Sequence, residues 1–154
     1  MSNSGLIIGK FYPPHLGHKY LIDTALRVVD AVTVLVCSSQ TDTIPAALRV
    51  QWLKQGQPSI KLIILDQDSI DRNDPAEWIK ITRKLIDFNP DYVFSSEDYG
   101  LLYAELLGCK HWMVDKERKK FQCSGTEIRR LPLNYLKFLE PPVAEYFKTM
   151  NTKG

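Results

Sequence analysis

The stretch LIIGKFYPPHLGH, residues 6–18, decides how this chain is read. A short apolar run gives way to a loop holding two prolines, two glycines, two histidines and a lysine. Beyond it, residues 16–29 place Leu21, Ile22, Ala25, Leu26, Val28 and Val29 on one side, with Lys19, Asp23, Thr24 and Arg27 mostly on the other. That spacing is an amphipathic helix. Strand, loop and helix in this order form the repeating unit of an α/β sheet.

Working outward, the same alternation recurs. Apolar runs at residues 31–36, 60–65, 92–94 and 112–114 supply four more strands, and helices are expected over 45–55, 75–88 and 99–107, with several short ones after Ser124. Each strand reads as a near-continuous apolar run, the pattern of a parallel sheet covered on both faces. The expected fold is therefore α/β: a Rossmann-like open five-stranded parallel sheet with helices on both faces and a short helical C-terminal tail. One domain over residues 1–154 suffices for a chain of this length. Ligands of such sheets lie beyond the carboxyl ends of the strands, so chemistry is expected in residues 9–18, 38–49, 66–78, 95–100 and 115–129.

Composition narrows the function classes. With 44% apolar and 25% charged residues the chain is ordinary for a globular protein. Its 20 basic and 18 acidic residues leave a net charge of +2, too little to imply a nucleic-acid or membrane partner. No apolar run is long enough for a membrane span and MSNSG lacks signal-peptide character, so a cytoplasmic location is expected. Cys37, Cys109 and Cys123 are odd in number and widely spaced, which reads as reduced thiols and not as a disulfide framework or zinc site. The oligomeric state stays open, a homo-oligomer included.

Within residues 9–18, two common phosphate signatures are absent. GLIIGKF has one residue too few between its glycines for a Walker A loop, with Phe11 where Ser or Thr must stand, and no GxGxxG occurs. Instead Gly9 allows backbone to approach a ligand, and Gly17 leaves room beside the first turn of a helix whose free N–H groups attract phosphate. His15 and His18 can donate to a polyphosphate, and Lys10 adds positive charge. Their HxxH spacing would serve as half a zinc site only with a third ligand, which nothing nearby supplies, so no metal ligands are assigned. A second cradle is offered by SGTEIR, residues 124–129, where Ser124 caps a helix, Glu127 completes a capping box, and Arg129 adds charge.

At Gly9, Phe11, Pro13, His15, Gly17 and His18 the sequence resembles the GxFxPxHxGH pattern of the nucleotidyltransferases that carry a HIGH-type motif, and Ser124, Thr126 and Arg129 resemble that superfamily's second element. VFSSEDYG, VDKER and YLKFLEPPVAEYF further resemble the adenylyltransferase domain of bifunctional bacterial nicotinamide-nucleotide adenylyltransferase/ribosylnicotinamide kinases. Without a Walker A sequence the kinase activity is not carried over. The resemblance implies ATP and nicotinamide mononucleotide as small-molecule substrates, with Mg2+, and NAD and pyrophosphate as products. It implies His18 at the transferring and leaving phosphates, His15 at the triphosphate, Lys10 and Arg129 as neutralising charges, and the Gly9 and Phe11 backbone at the bend of the ATP. Gly17, Ser95, Ser124, Thr126 and Arg118 join the nucleotide site, Arg118 through its match to a VDxxR element. Trp78 stands where relatives seat the nicotinamide ring, although this chain has Glu77 and Ile81 where some relatives have glycine and a second tryptophan. Arg49 resembles an arginine that relatives bring to the nucleotides' phosphates, while Trp52 is expected to pack and His111 carries no motif. The competing readings are adenylyl transfer to another phosphate-bearing acceptor, such as nicotinate mononucleotide, phosphopantetheine or a flavin nucleotide, and a nucleotide-sensing module without turnover.

Overall fold

The apolar run at residues 6–8 becomes the middle of the sheet, where Leu6 and Ile7 lose all contact with solvent. The computed structural model describes residues 3–71 and 73–152. Its strands are β1 (Ser4–Gly9), β2 (Ala31–Ser38), β3 (Lys61–Asp66), β4 (Tyr92–Ser95) and β5 (Lys110–Met113). The helices are α1 (Leu16–Val28), α2 (Ala46–Gly56), α3 (Pro75–Ile86), α4 (Tyr99–Leu107), α5 (Gly125–Arg130) and α6 (Pro141–Thr152), with 3-10 turns at Gln67–Ser69, Pro132–Asn134 and Leu136–Phe138. The strands pair in parallel in the order β3-β2-β1-β4-β5, so the chain changes direction between β1 and β4. A ligand crevice belongs above that point.

Alternation along the strands sorts the core into two layers. Ile7, Val34 and Val36 face Leu21, Ile22 and Ala25 of α1, while Leu6, Leu35 and Cys37 face Ile79 and Ile86 of α3 and Ala104 and Leu107 of α4. Each fully buried aliphatic side chain contributes roughly 1.5–3 kcal/mol from area removed from water. A third cluster joins Trp52 of α2 to Ile128 of α5 and to Leu139, Val143 and Phe147 of the tail. Trp52 packs edge-to-face on Tyr146 at 5.3 Å, as a packing residue should. The tail therefore anchors α5, and with it Arg129.

Local chemistry sets the boundaries. Pro75 opens α3 while the Asp74 carboxylate accepts from the N–H groups of Ala76 and Glu77. The helix stops at Ile86, earlier than its apolar pattern suggests, because Asp87 adopts φ 57° and turns the chain away. The expectation of cover on both faces holds for the three central strands and fails at the edges: Ile64 of β3 is 45% exposed, and Trp112 and Met113 of β5 are 40% and 36% exposed. An apolar run marks a strand but not its place in the sheet.

Candidate active site

The first turn of α1 is built by its own histidines. His15 is the N-cap, its Nδ1 accepting from the Gly17 N–H at 3.0 Å, and the His15 N–H donates to Nδ1 of His18 at 3.1 Å. A capping box ordinarily uses Ser or Thr with Glu or Gln. Here two imidazoles perform both halves. Because each Nδ1 accepts, each neutral ring carries its proton on Nε2, leaving two Nε2–H donors. Burial, reinforced by Arg118, lowers His15 to a pKa of about 4, and burial followed by the influence of His15 and Arg118 holds His18 well below the ordinary histidine value. The rings stack at 3.7 Å, an arrangement two imidazolium cations would oppose. Gly17 is required by this turn, since a Cβ there would stand 2.8 Å from the His15 ring.

Above the switch point lies a cavity of about 470 Å³ whose wall includes Gly9, Lys10, Phe11, His15, Gly17, His18, Ser95, Arg118, Ser124, Thr126 and Arg129. The two motifs, more than a hundred residues apart, thus share one hollow. Phe11 is buried at φ 51°, a left-handed backbone that a bulky residue adopts only when its surroundings enforce it, and its ring meets His18 edge-on at 4.8 Å. On the far side, Ser124 accepts from the Glu127 N–H at 3.2 Å. The capping box expected there is half formed, for the Glu127 carboxylate binds Arg130 and Tyr135 instead. Arg129 donates from Nη1 to the carbonyl of Tyr12 at 2.5 Å, closing α5 onto the loop after β1. Gly125 permits that approach, because a Cβ would lie 2.5 Å from the same carbonyl.

A second cavity, of about 400 Å³, opens on the other side of β1 and is lined by Cys37, Gln67, Pro75, Trp78, Leu102, Tyr103 and Leu106. Its wall is largely apolar, and burial raises the Cys37 thiol to a pKa of about 11, so it stays neutral there. Ile8, Gly9, Lys10 and Tyr99 border both cavities. Tyr99 donates its hydroxyl to the Ile8 carbonyl at 2.9 Å, and burial lifts its pKa to about 12. Lys10 therefore stands at the junction of a polar, cation-lined hollow and an apolar one.

The family model described as cytidylyltransferase-like matches residues 6–131, a span that takes in both motifs and every wall of the first cavity. The chain belongs to the cytidylyltransferase-like family. Among curated relatives, the nicotinamide-nucleotide adenylyltransferase of Aeropyrum pernix is 31% identical over 82% of this chain and 77% of its own length. That of Methanococcus vannielii is 30% identical over 80% of this chain and 74% of its own length. The trifunctional NAD biosynthesis/regulator protein NadR of Escherichia coli is 29% identical over 93% of this chain, which spans 40% of the length of that relative. The solved structure of NadR protein in complex with NR shares the fold at a TM-score of 0.70 and 24% identity, covering 90% of this chain and 44% of that one. The NadR structure with NAD and AMP-PNP gives 0.66 at the same identity and coverage.

Against the family pattern, Arg49 is the residue whose placement departs most from expectation. Its guanidinium is fully buried, donating to the carbonyls of Ile44, Lys10 and Cys37 and to Asp42 at 2.9 Å, and it lines neither cavity. It braces the Lys10 backbone. Asp42, which carries no motif, ties Arg49 to Lys10, whose ammonium it binds at 2.6 Å. Burial works to raise the pKa of this carboxyl, but the hydrogen bonds from Lys10 and the Ser39 N–H, with the charges of Lys10 and Arg49, leave it lowered. Ser95 sits at the cavity wall, buried, with its hydroxyl donating to the Glu97 carbonyl at 2.9 Å and so accepting from Nε2–H of His111 at 2.7 Å. In that arrangement His111 is a donor to Ser95 and not its base. His111, unassigned from sequence, thus has a role in holding Ser95. Arg118 lines the cavity while donating to the Cys123 carbonyl at 2.8 Å and to Glu97 at 2.7 Å. Its loop is fixed by the Asp115 carboxylate, which accepts from the N–H groups of Lys119 and Lys120.

Proposed function

We propose that this chain transfers the adenylyl group of ATP to nicotinamide mononucleotide, giving NAD and pyrophosphate. The observation that carries this reading is the shared wall: two cavities of about 470 and 400 Å³ meet along Ile8, Gly9, Lys10 and Tyr99. One offers imidazoles, cations and a helix N-terminus to a triphosphate. The other offers an apolar slot with Trp78, whose face suits a flat cationic pyridinium ring. The names of the Aeropyrum and Methanococcus relatives agree with this acceptor.

In the reaction, an oxygen of the nicotinamide mononucleotide 5'-phosphate attacks the α-phosphorus of ATP. The bond to the bridging oxygen breaks, and its electron pair leaves with pyrophosphate. A phosphate monoester has a second pKa of about 6, so the nucleophile is ionised at neutral pH and no base is needed. The chain must instead counter anion repulsion and hold the groups in line. His18 and His15 donate from Nε2–H to phosphate oxygens, Lys10 and Arg129 neutralise charge, and the Ser124 and Thr126 hydroxyls orient the tail. Magnesium would enter on the phosphate oxygens of ATP with its remaining waters and offset their charge; among the described residues no group of three or more His, Cys, Asp or Glu is arranged to hold a metal ion.

The test offers the purified protein ATP and magnesium with each acceptor in turn: nicotinamide mononucleotide, nicotinate mononucleotide, phosphopantetheine and a flavin nucleotide. Pyrophosphate released fastest with nicotinamide mononucleotide is the expected result. Release only with another acceptor reassigns the second cavity, and ATP binding without any release replaces the enzyme by a sensor.

A further inference from the structure

Tyr12 stands at a position that the pattern of the first motif leaves open, so neither motif assigns it a task. Its ring is approached by Arg129 with the guanidinium carbon 4.0 Å from the centroid, by the Lys10 ammonium at 5.1 Å, and by Arg49 at 5.3 Å. No other ring among the described residues meets more than one cation; Tyr20 and Phe138 meet one each. The rest of Tyr12 is equally committed. Its carbonyl accepts from Arg129 at 2.5 Å, and its hydroxyl accepts from the Thr43 N–H at 2.5 Å and bonds the Thr43 hydroxyl at 2.6 Å. One residue therefore joins the loop after β1, the loop after β2 and the last turn of α5.

Cations gathered to receive a triphosphate repel one another while the site is empty of anions. A carboxylate could hold them, as Asp42 holds Lys10 and Arg49 at the rear, but at the mouth of the cavity it would repel ATP and compete with it. An aromatic face attracts cations through its quadrupole without carrying net charge, so it can keep them close and still release them to phosphate. We propose that Tyr12 is a positioning residue that holds Arg129 at the phosphate cavity before ATP arrives, while Asp42 holds Lys10. The proposal rests on reading that cavity as the triphosphate site.

The test separates ring electronics from packing. Tyr12→Phe serves as the reference, and phenylalanines bearing one, two and three ring fluorines are then placed at the same position; each fluorine weakens the negative face with little change of size. The dissociation constant for ATP is measured by calorimetry, alongside kcat/KM and Tm. Affinity for ATP is expected to fall stepwise, about tenfold across the series, at constant Tm, with the gradient shrinking in an Arg129→Met background. Tyr12→Leu should lose at least as much. A flat series in a protein that binds ATP overturns the role of Tyr12 and leaves the triphosphate site standing. Failure of the wild-type chain to bind ATP overturns both.

Discussion

In the proposed reaction His18 serves structure and chemistry with different nitrogens: Nδ1 accepts from the His15 N–H at the helix start, and Nε2–H is left to donate to a phosphate. An asparagine can accept at the capping position without reaching as far. His18→Asn is accordingly expected to stay folded, with Tm nearly unchanged, while kcat falls roughly a hundred- to a thousand-fold, as when one preorganised donor is removed. A steady-state rate within about threefold of wild type would remove the imidazole from the mechanism. The residues visible in the sequence were those whose partners are close along the chain or fixed by a motif, such as His15, Gly17, His18, Ser124 and Arg129. Asp42, Tyr12 and His111 escaped because their partners are remote: Asp42 meets Lys10 across 32 residues, Tyr12 meets Arg129 across 117, and His111 meets Ser95 across 16. Nothing in SSQTD announces that its aspartate is buried against two cations.

At the scale of elements, the imidazole capping box makes α1 sensitive to acid. His15 has a folded-state pKa of about 4 against 6.5 for the free side chain, and His18 is lowered as well. The unfolded chain therefore binds more protons in this range. Stability is full above about pH 6.5 and falls as the pH drops toward about 4, by roughly 3 kcal/mol from His15 alone. Urea unfolding at a series of pH values should show this slope, and His15→Asn should flatten it; equal slopes would contradict the capping arrangement. The loop after β2 depends likewise on one buried cation. Arg49→Met is expected to cost about 3–5 kcal/mol by urea unfolding, since it leaves the carbonyls of Ile44, Lys10 and Cys37 without their donor and removes one of the two cations that Asp42 binds. A loss below about 1 kcal/mol would mean the loop finds other partners. The sequence signals elements well where one pattern dominates, as in the apolar runs of β1 and β2. It signals ends poorly where a single backbone state decides, as with Asp87 after α3.

For the whole molecule, strand order does the functional work. Setting β1 between β2 and β4 opens one hollow toward the start of α1 and α5 and another toward α3 and α4, with Lys10 between them. The fold class was readable from alternating strands and helices, and the side of the sheet carrying the chemistry followed from the parallel arrangement. That the tail cluster around Ile128 would press Arg129 against the loop after β1 was not, because it depends on packing among residues 44–147 that no local pattern records. In the proposed reaction two substrates occupy two hollows. The most direct test is the pair of KM values in Trp78→Ala, measured by pyrophosphate release. KM for nicotinamide mononucleotide should rise at least tenfold while KM for ATP stays within about twofold; equal rises in both, or no rise in either, would contradict it.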